Sequence, residues 1–216
     1  MKIKNLLIIL LLSSSFLFAS TSSGVQKELT SFLDDLKSIK GAEEGKTISS
    51  SEVAKNKSLA ARVLDRINVY QISKKSLGAQ TWTKIGSEKQ NNFVAILSRL
   101  IALNAFPRSN KFLNKVTYTF SEPTTKNSEV KIRQTVLIPG DDENPEDTKM
   151  YIDYFYEKSP NDWKLTNISF DDVSLIDTYL NQFASIISKK GFDHLYTLMV
   201  NKQKELEKEY GSIIPK

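Results

Sequence analysis

The chain has no cysteine and one histidine among its 216 residues, and each shortage removes a chemistry. Without thiols there is no disulfide framework, no Cys-held zinc or iron–sulfur centre and no cysteine nucleophile. Any imidazole chemistry would rest on His194, beside Asp193 at a helix start, with no G-x-S-x-G elbow to present a serine. Eight glycines, none of them clustered, leave no phosphate-cradling loop. Charge of one sign is also scarce: 30 Lys+Arg against 25 Asp+Glu leave +5, too small and scattered a surplus for a nucleic-acid surface. What the chain does have is apolar material, 40% hydrophobic residues with 10% aromatics, enough for a core in one domain.

The opening residues read as an export leader. Lys2 and Lys4 precede an unbroken apolar run from Leu6 to Leu12, extended by Phe16, Leu17, Phe18 and Ala19, with small residues at 20–24. That order is a basic n-region, an h-region and a cleavage zone, with the cut expected after Ala19 or Ser20. The strictly apolar stretch is shorter than the ~20 residues that span a bilayer, and no Cys follows it to carry a lipid. The expected organisation is a leader over 1–19 and a single domain over 20–216. Cleavage removes two lysines and no acid, so the net charge becomes 5 − 2 = +3.

Periodicity then runs from helical to alternating and back. Val25, Leu29, Phe32, Leu33, Leu36 and Ile39 predict an amphipathic helix over 25–39, and Ala60, Val63, Leu64 and Ile67 a second over 52–67. Asn68 reads as the cap of a short helix that stops near Gly78. Ser87 and Gln90 spell a capping box ahead of Phe93, Ile96, Leu97, Leu100 and Ile101, with Pro107 as the stop. From 115 to 170 the period is two, with hairpin-length connections and a bulge expected near Asn167. A helix through Tyr179, Phe183, Ile186 and Ile187 ends at Lys189-Lys190-Gly191. Another is expected to begin at Asp193 as N-cap and to carry Leu195, Leu198 and Met199 before a charged tail. The expected fold class is α+β: a four-stranded antiparallel meander with N- and C-terminal helices on one face around an apolar cavity.

Catalytic and metal signals are weak. Asp141, Asp142, Glu143, Glu146 and Asp147 lack the alternating ligand spacing and central glycine of a calcium loop, and Pro145 lies among them. Asp153, Glu157, Asp171 and Asp172 are the acids available for paired-carboxylate work, but only the last two adjoin, at a strand end. No catalytic residue, metal or cofactor is expected. The aromatics Tyr118, Phe120, Tyr154, Tyr156, Trp163, Phe170, Tyr179 and Phe183 fall on or beside the inner sheet face; periodicity alone fits a solid core as well as a cavity.

Three stretches carry a family resemblance. Leu77-Gly78, Trp82, Ser87-Glu88-Lys89-Gln90, Phe93 and Leu97 form the first; Trp163-Lys164-Leu165 running through Asn167 and Ile168 to Val173-Ser174-Leu175 the second; Tyr179, Gln182-Phe183, Ile187, Gly191, Leu195 and Leu198 the third. In order and spacing, over about 68–200, they resemble the MlaC-type, or toluene-tolerance, periplasmic phospholipid-binding proteins. Asp172 stands where that family usually has glycine, Leu180 where it often has Arg, and Asn167 where Asp is common.

The resemblance implies a soluble periplasmic carrier that holds a phospholipid by its acyl tails. It would pass the lipid between an inner-membrane ABC transporter complex, with its membrane-anchored lipid-binding subunit, and an outer-membrane lipoprotein complex, as a monomer. About thirty methylenes at ~0.8 kcal/mol each hold such a lipid in a bilayer by some 20 kcal/mol, so a carrier must offer the tails an equally apolar solvent. Facing and spacing nominate Tyr118, Val136, Ile152, Tyr154 and Leu175 for the sheet side of a cavity, and Leu97, Ile101, Tyr179, Phe183 and Leu198 for the helix side. Lys74, Lys75, Lys189 and Lys190 are candidates near the headgroup. Other classes remain open: a protein-interaction module or chaperone with a filled core, and a nuclear-transport-factor-like enzyme, which needs an inward acid where Asp153 reads as outward.

Overall fold

The structure, a computed structural model, describes residues 13–41, 48–140 and 146–215, with side chains from Gly24 onward. Residues 1–12 of the expected leader, residues 42–47, and residues 141–145 with the acids Asp141, Asp142 and Glu143 lie outside the described residues.

Helix α1 (Ser13–Ser38) buries Val25, Leu29, Phe32, Leu33 and Leu36 on one stripe. Helix α2 (Ser50–Asp65) starts two residues before the expected 52, at a capping box: Ser49 caps the Glu52 amide while Glu52 reaches back to the Ser49 amide. The chain then turns into α3 (Val69–Leu77), capped as expected by Asn68, whose side chain accepts from the Gln71 amide at 3.0 Å. The link between α2 and α3 lies along the sheet. Leu165 donates to the Arg66 carbonyl and accepts from the Asn68 amide, both at 2.8 Å, which holds Ile67 over the strand.

Helix α4 (Ala79–Leu113) restarts at the expected Ser87, without the expected capping box, and runs past the expected stop. Its helical path breaks at Gly86, with φ 75° and ψ 165°, a conformation open to glycine alone. Gln90 reaches back across that kink and donates to the Trp82 carbonyl at 2.7 Å. Pro107 does not stop the helix. It removes one backbone donor, a loss of about 3 kcal/mol in an ordinary helix interior, yet the turns around and beyond it bury Leu103, Phe106 and Leu113, each worth roughly 1.5–3 kcal/mol. Burial outweighs the break.

The sheet is antiparallel and follows chain order, with six strands where four were expected: β1 (Thr117–Phe120), β2 (Thr124–Lys126), β3 (Glu129–Ile138), β4 (Thr148–Lys158), β5 (Trp163–Phe170) and β6 (Val173–Ser174). Of the two extra strands, β2 lies in an expected hairpin connection and β6 just beyond the last expected strand. β2 pairs with β3 on the same edge as β1, and β6 folds back on β5 through a two-residue turn. Both turn residues, Asp171 (φ 46°) and Asp172 (φ 66°), are left-handed, the conformation of a two-residue hairpin. Asp172, where glycine was the family expectation, is held there by Arg133 at 2.6 Å, and Asp171 accepts the Tyr151 amide at 2.8 Å. The bulge falls beside its expected place: Phe155 faces Asn167 but Tyr156 faces Leu165, leaving Thr166 as the extra residue.

Helices α5 (Leu175–Lys190) and α6 (Phe192–Tyr210) complete the fold. The cap of α6 is Gly191, not Asp193, and the charged stretch expected as a tail is helical, because Leu206 within it is buried. Beyond α6, Ile213 and Ile214 turn into the core, where Asn56 donates to the Ile213 carbonyl at 3.1 Å and Arg99 to that of Ile214 at 2.7 Å.

Candidate functional site: an apolar cavity at the seam of two clusters

Two apolar clusters divide the interior. One joins the inner sheet face to α1, α2 and the second half of α4, with Leu29, Phe32, Leu103, Ile132, Tyr154 and Tyr156 among its members. The other gathers α3, the first part of α4, α5 and α6 around Ile72, Trp82, Phe93, Phe183, Leu195 and Met199. Ile67, Leu100 and Ile101 pack against both. Along that seam opens a cavity of about 540 Å³, within the range of small-molecule sites.

Each wall follows from a local rule. α4 supplies Leu97, Leu100, Ile101, Asn104 and Ala105, and α6 supplies Leu195, Leu198, Met199, Lys202 and Leu206; both sets are i, i+3, i+4 stripes. α5 contributes Leu175, Ile176, Tyr179, Phe183 and Ile186. On β5 the Thr166 bulge lets Leu165 and Ile168, three positions apart, share the cavity side, with Phe170 beyond. Aromatic stacking stiffens the helix wall: Tyr179 lies parallel to Phe183 at 5.3 Å, and Phe183 meets Phe93 edge-on at 5.9 Å. Burial pushes the Tyr179 phenol above its ordinary pKa, so the ring stays neutral. Leu198 (42% exposed) and Phe170 (45%) mark the mouth.

Of the ten nominated residues, Leu97, Ile101, Leu175, Tyr179, Phe183 and Leu198 border this cavity. Tyr118, Val136, Ile152 and Tyr154 do not; they sit in the sheet cluster. Strand alternation sets their face correctly but not what covers it, and at that end of the sheet the residues of α1 and of the second half of α4 pack with them in one cluster. There Tyr154 donates to Gln134 at 2.7 Å, so the polar residue that interrupts the β3 stripe is wholly buried with its carbonyl satisfied.

None of the four nominated lysines lines the cavity. Lys75 pairs with Glu157 at 3.1 Å, while Lys74, Lys189 and Lys190 stand in the last turns of α3 and α5. The lysine at the lining is Lys202, and the amides there are Asn104 and Asn167. The signal was present in the sequence: Lys202 follows Leu198 by four and Met199 by three, on the stripe that resumes at Leu206.

Asp153 lies on the opposite sheet face from Ile152 and Tyr154. Arg133 grips it through two bonds of 2.7 and 2.8 Å, and this grip, with Lys131 beside it, holds the carboxyl below its ordinary pKa despite burial. It is an ion-pair anchor turned away from the cavity, not a base poised within it. His194 is in the first turn of α6 and does not border the cavity. Among the described residues no helix is long and apolar enough to cross a membrane.

No curated protein matches this chain in sequence. Among solved structures, the phospholipid-binding protein of Ralstonia solanacearum, determined in complex with a phospholipid, is similar: 21% identity, a TM-score of 0.62, 86% of this chain and 97% of that one covered. What is shared at such identity is the fold. Residues 33–201, well over half of the sequence and nearly all of the elements that build the cavity, match the MlaC protein family, and the chain therefore belongs to that family.

Proposed function

We propose that this protein is a periplasmic phospholipid carrier, which shelters acyl tails in the seam cavity and ferries lipid between an inner-membrane ABC transporter complex, with its membrane-anchored lipid-binding subunit, and an outer-membrane lipoprotein complex. The observation that carries the reading is the cavity: about 540 Å³, walled by aliphatic and aromatic side chains and open beside Leu198 and Phe170. Membership of the MlaC family and the shared fold of a phospholipid-bound protein support it.

The chemistry asked of the chain is solvation rather than bond-making. Tails leaving a bilayer for such walls exchange one apolar solvent for another, so transfer is nearly neutral in free energy and direction comes from partners. A methylene takes about the ~30 Å³ of a water in the liquid, so 540 Å³ shelters roughly eighteen of them, one long acyl chain. A second chain is accommodated by widening the seam, where the two clusters meet through Ile67, Leu100 and Ile101 rather than through a shared centre. Native mass spectrometry of the exported protein after gentle purification, followed by lipid extraction, should find stoichiometric phospholipid. A protein that is uniformly ligand-free and takes up none from vesicles would overturn the reading.

A further inference from the structure

The cavity has three polar side chains on its lining, Asn104, Asn167 and Lys202. Asn167 is committed to the fold, donating to the Ser174 hydroxyl at 3.0 Å and accepting the Ile176 amide at 3.3 Å. Asn104 and Lys202 are exposed and come from α4 and α6, which pack together. Lys202 lies one turn beyond Leu198, the exposed leucine of the mouth, so its charge sits where the apolar wall meets water. Arg108 donates to the Asn104 side-chain oxygen and rests over the Tyr210 ring. That bond leaves the Asn104 NH2 without a partner among the described residues. Glu205 holds Lys202 at 2.6 Å in an exposed pair, the kind worth roughly 0–1 kcal/mol and readily exchanged.

We propose that Asn104 and Lys202 form a phosphodiester site at the cavity mouth, which takes the headgroup phosphate of the lipid whose tail fills the cavity. This rests on the carrier reading above and adds a residue-level claim about the headgroup. The ammonium supplies charge-assisted hydrogen bonds to the phosphate oxygens and the amide NH2 a neutral one, with Arg108 fixing the amide's orientation. Glu205 leaves Lys202 when the phosphate arrives, an exchange of one anion for another.

The test compares uptake, by the purified protein, of phosphatidylglycerol and of diacylglycerol with the same chains from neutral vesicles. Lys202→Ala should weaken phosphatidylglycerol uptake roughly five- to tenfold more than diacylglycerol uptake, which loses only the packing of the lysine stem against the wall. Asn104→Ala should act in the same direction more weakly, and Lys202→Arg should restore most of the loss. Equal losses for both lipids would mean that Lys202 only packs the wall, and no loss for either would remove it from the site; each result overturns the proposal while leaving the carrier reading intact. Excess inorganic phosphate should not compete; competition would mark a free-anion site and overturn the headgroup assignment. Wild-type protein that takes up neither lipid would remove the carrier reading itself, and this site with it.

Discussion

The two halves of the interior are made of the same side chains and end differently. The sheet cluster is filled: Leu29, Leu103, Ile132 and Tyr156 are wholly or almost wholly buried, under two helices tied together by Arg62 and Arg66 on Asp35 at 2.7 and 2.6 Å. The second cluster borders the cavity, and its helices meet at glycines with positive φ: Gly78, Gly86 and Gly191. Such joints let short helices turn sharply against one another, so they arch over the β5 end instead of lying flat upon it. What sets the two halves apart is how their helices are joined rather than how apolar they are.

The widest test of that contrast is truncation on each side. Leu29→Ala should cost about 3 kcal/mol in chemical denaturation, since a filled site collapses poorly around a lost side chain, while leaving lipid occupancy intact in the surviving protein. Leu198→Ala should change stability by no more than about 0.5 kcal/mol, as an exposed wall residue, and should reduce lipid retention. Equal stability losses would mean that both halves are packed alike.

A smaller difference should appear on delipidation. A ligand bound only by the folded state adds about 2.7 kcal/mol at a hundred times its Kd, so the loaded protein should melt above the delipidated one. Ala105→Leu, growing from the cavity wall, should narrow the gap by up to about 1 kcal/mol by stabilising the empty form. Identical melting of loaded and empty protein would speak for a solid seam.

The contrast also explains what could be read beforehand. Element identity was legible because apolar period reports which face is buried: the α4, α5 and α6 stripes, the β4 face of Ile152, Tyr154 and Tyr156 and the bulge beside Asn167 are all local patterns. The cavity was half legible. Leu97, Ile101 and Phe183 stood out as buried stripe members, but Tyr154 and Val136 obey the same alternation as Ile168 and Phe170, and alternation carries no record of which helix lies above. Pro107 misled because its local effect is helix-breaking while the burial that overrides it is tertiary. Lys202 was hidden within a run of charge, where composition says surface and only the heptad-like spacing says rim.

The glycine joints give a prediction of intermediate size. An added Cβ at Gly86 would meet nothing within 4 Å, so Gly86→Ala tests backbone conformation free of steric clash. Holding alanine at φ 75°, ψ 165° should cost about 1–2 kcal/mol. If the kink sets the arch, the variant should also lose lipid retention beyond what that destabilisation explains; unchanged retention would assign the arch to packing alone.

The smallest effect separates the halves by pH. Among the described acids, Asp35, Asp153 and Glu52 have lowered pKa values, and all three lie at the filled end, Glu52 in the exposed first turn of α2, where Lys40 and Ser49 hold it at about 2. For Asp35 burial alone would raise the pKa, and the hydrogen bonds from Arg62 and Arg66 outweigh it; for Asp153 the Arg133 bonds lead. A carboxyl with a lowered folded pKa contributes stability that is fully present above its unfolded value, near 4, and is lost as pH falls through the folded one. Glu28 acts in the opposite sense: burial raises its pKa against the pull of Arg66, 2.9 Å away, so its protonation relieves the fold slightly, and does so at higher pH than the aspartate losses. Stability should therefore rise faintly as pH falls toward the ordinary Glu28 value of 4.5 and then drop as acid is added below about pH 4. Asp153→Asn should flatten the falling limb without altering lipid uptake at neutral pH, because the carboxyl faces away from the cavity. A variant that loses uptake at neutral pH while keeping its acid limb would place Asp153 with the hollow half and break the division.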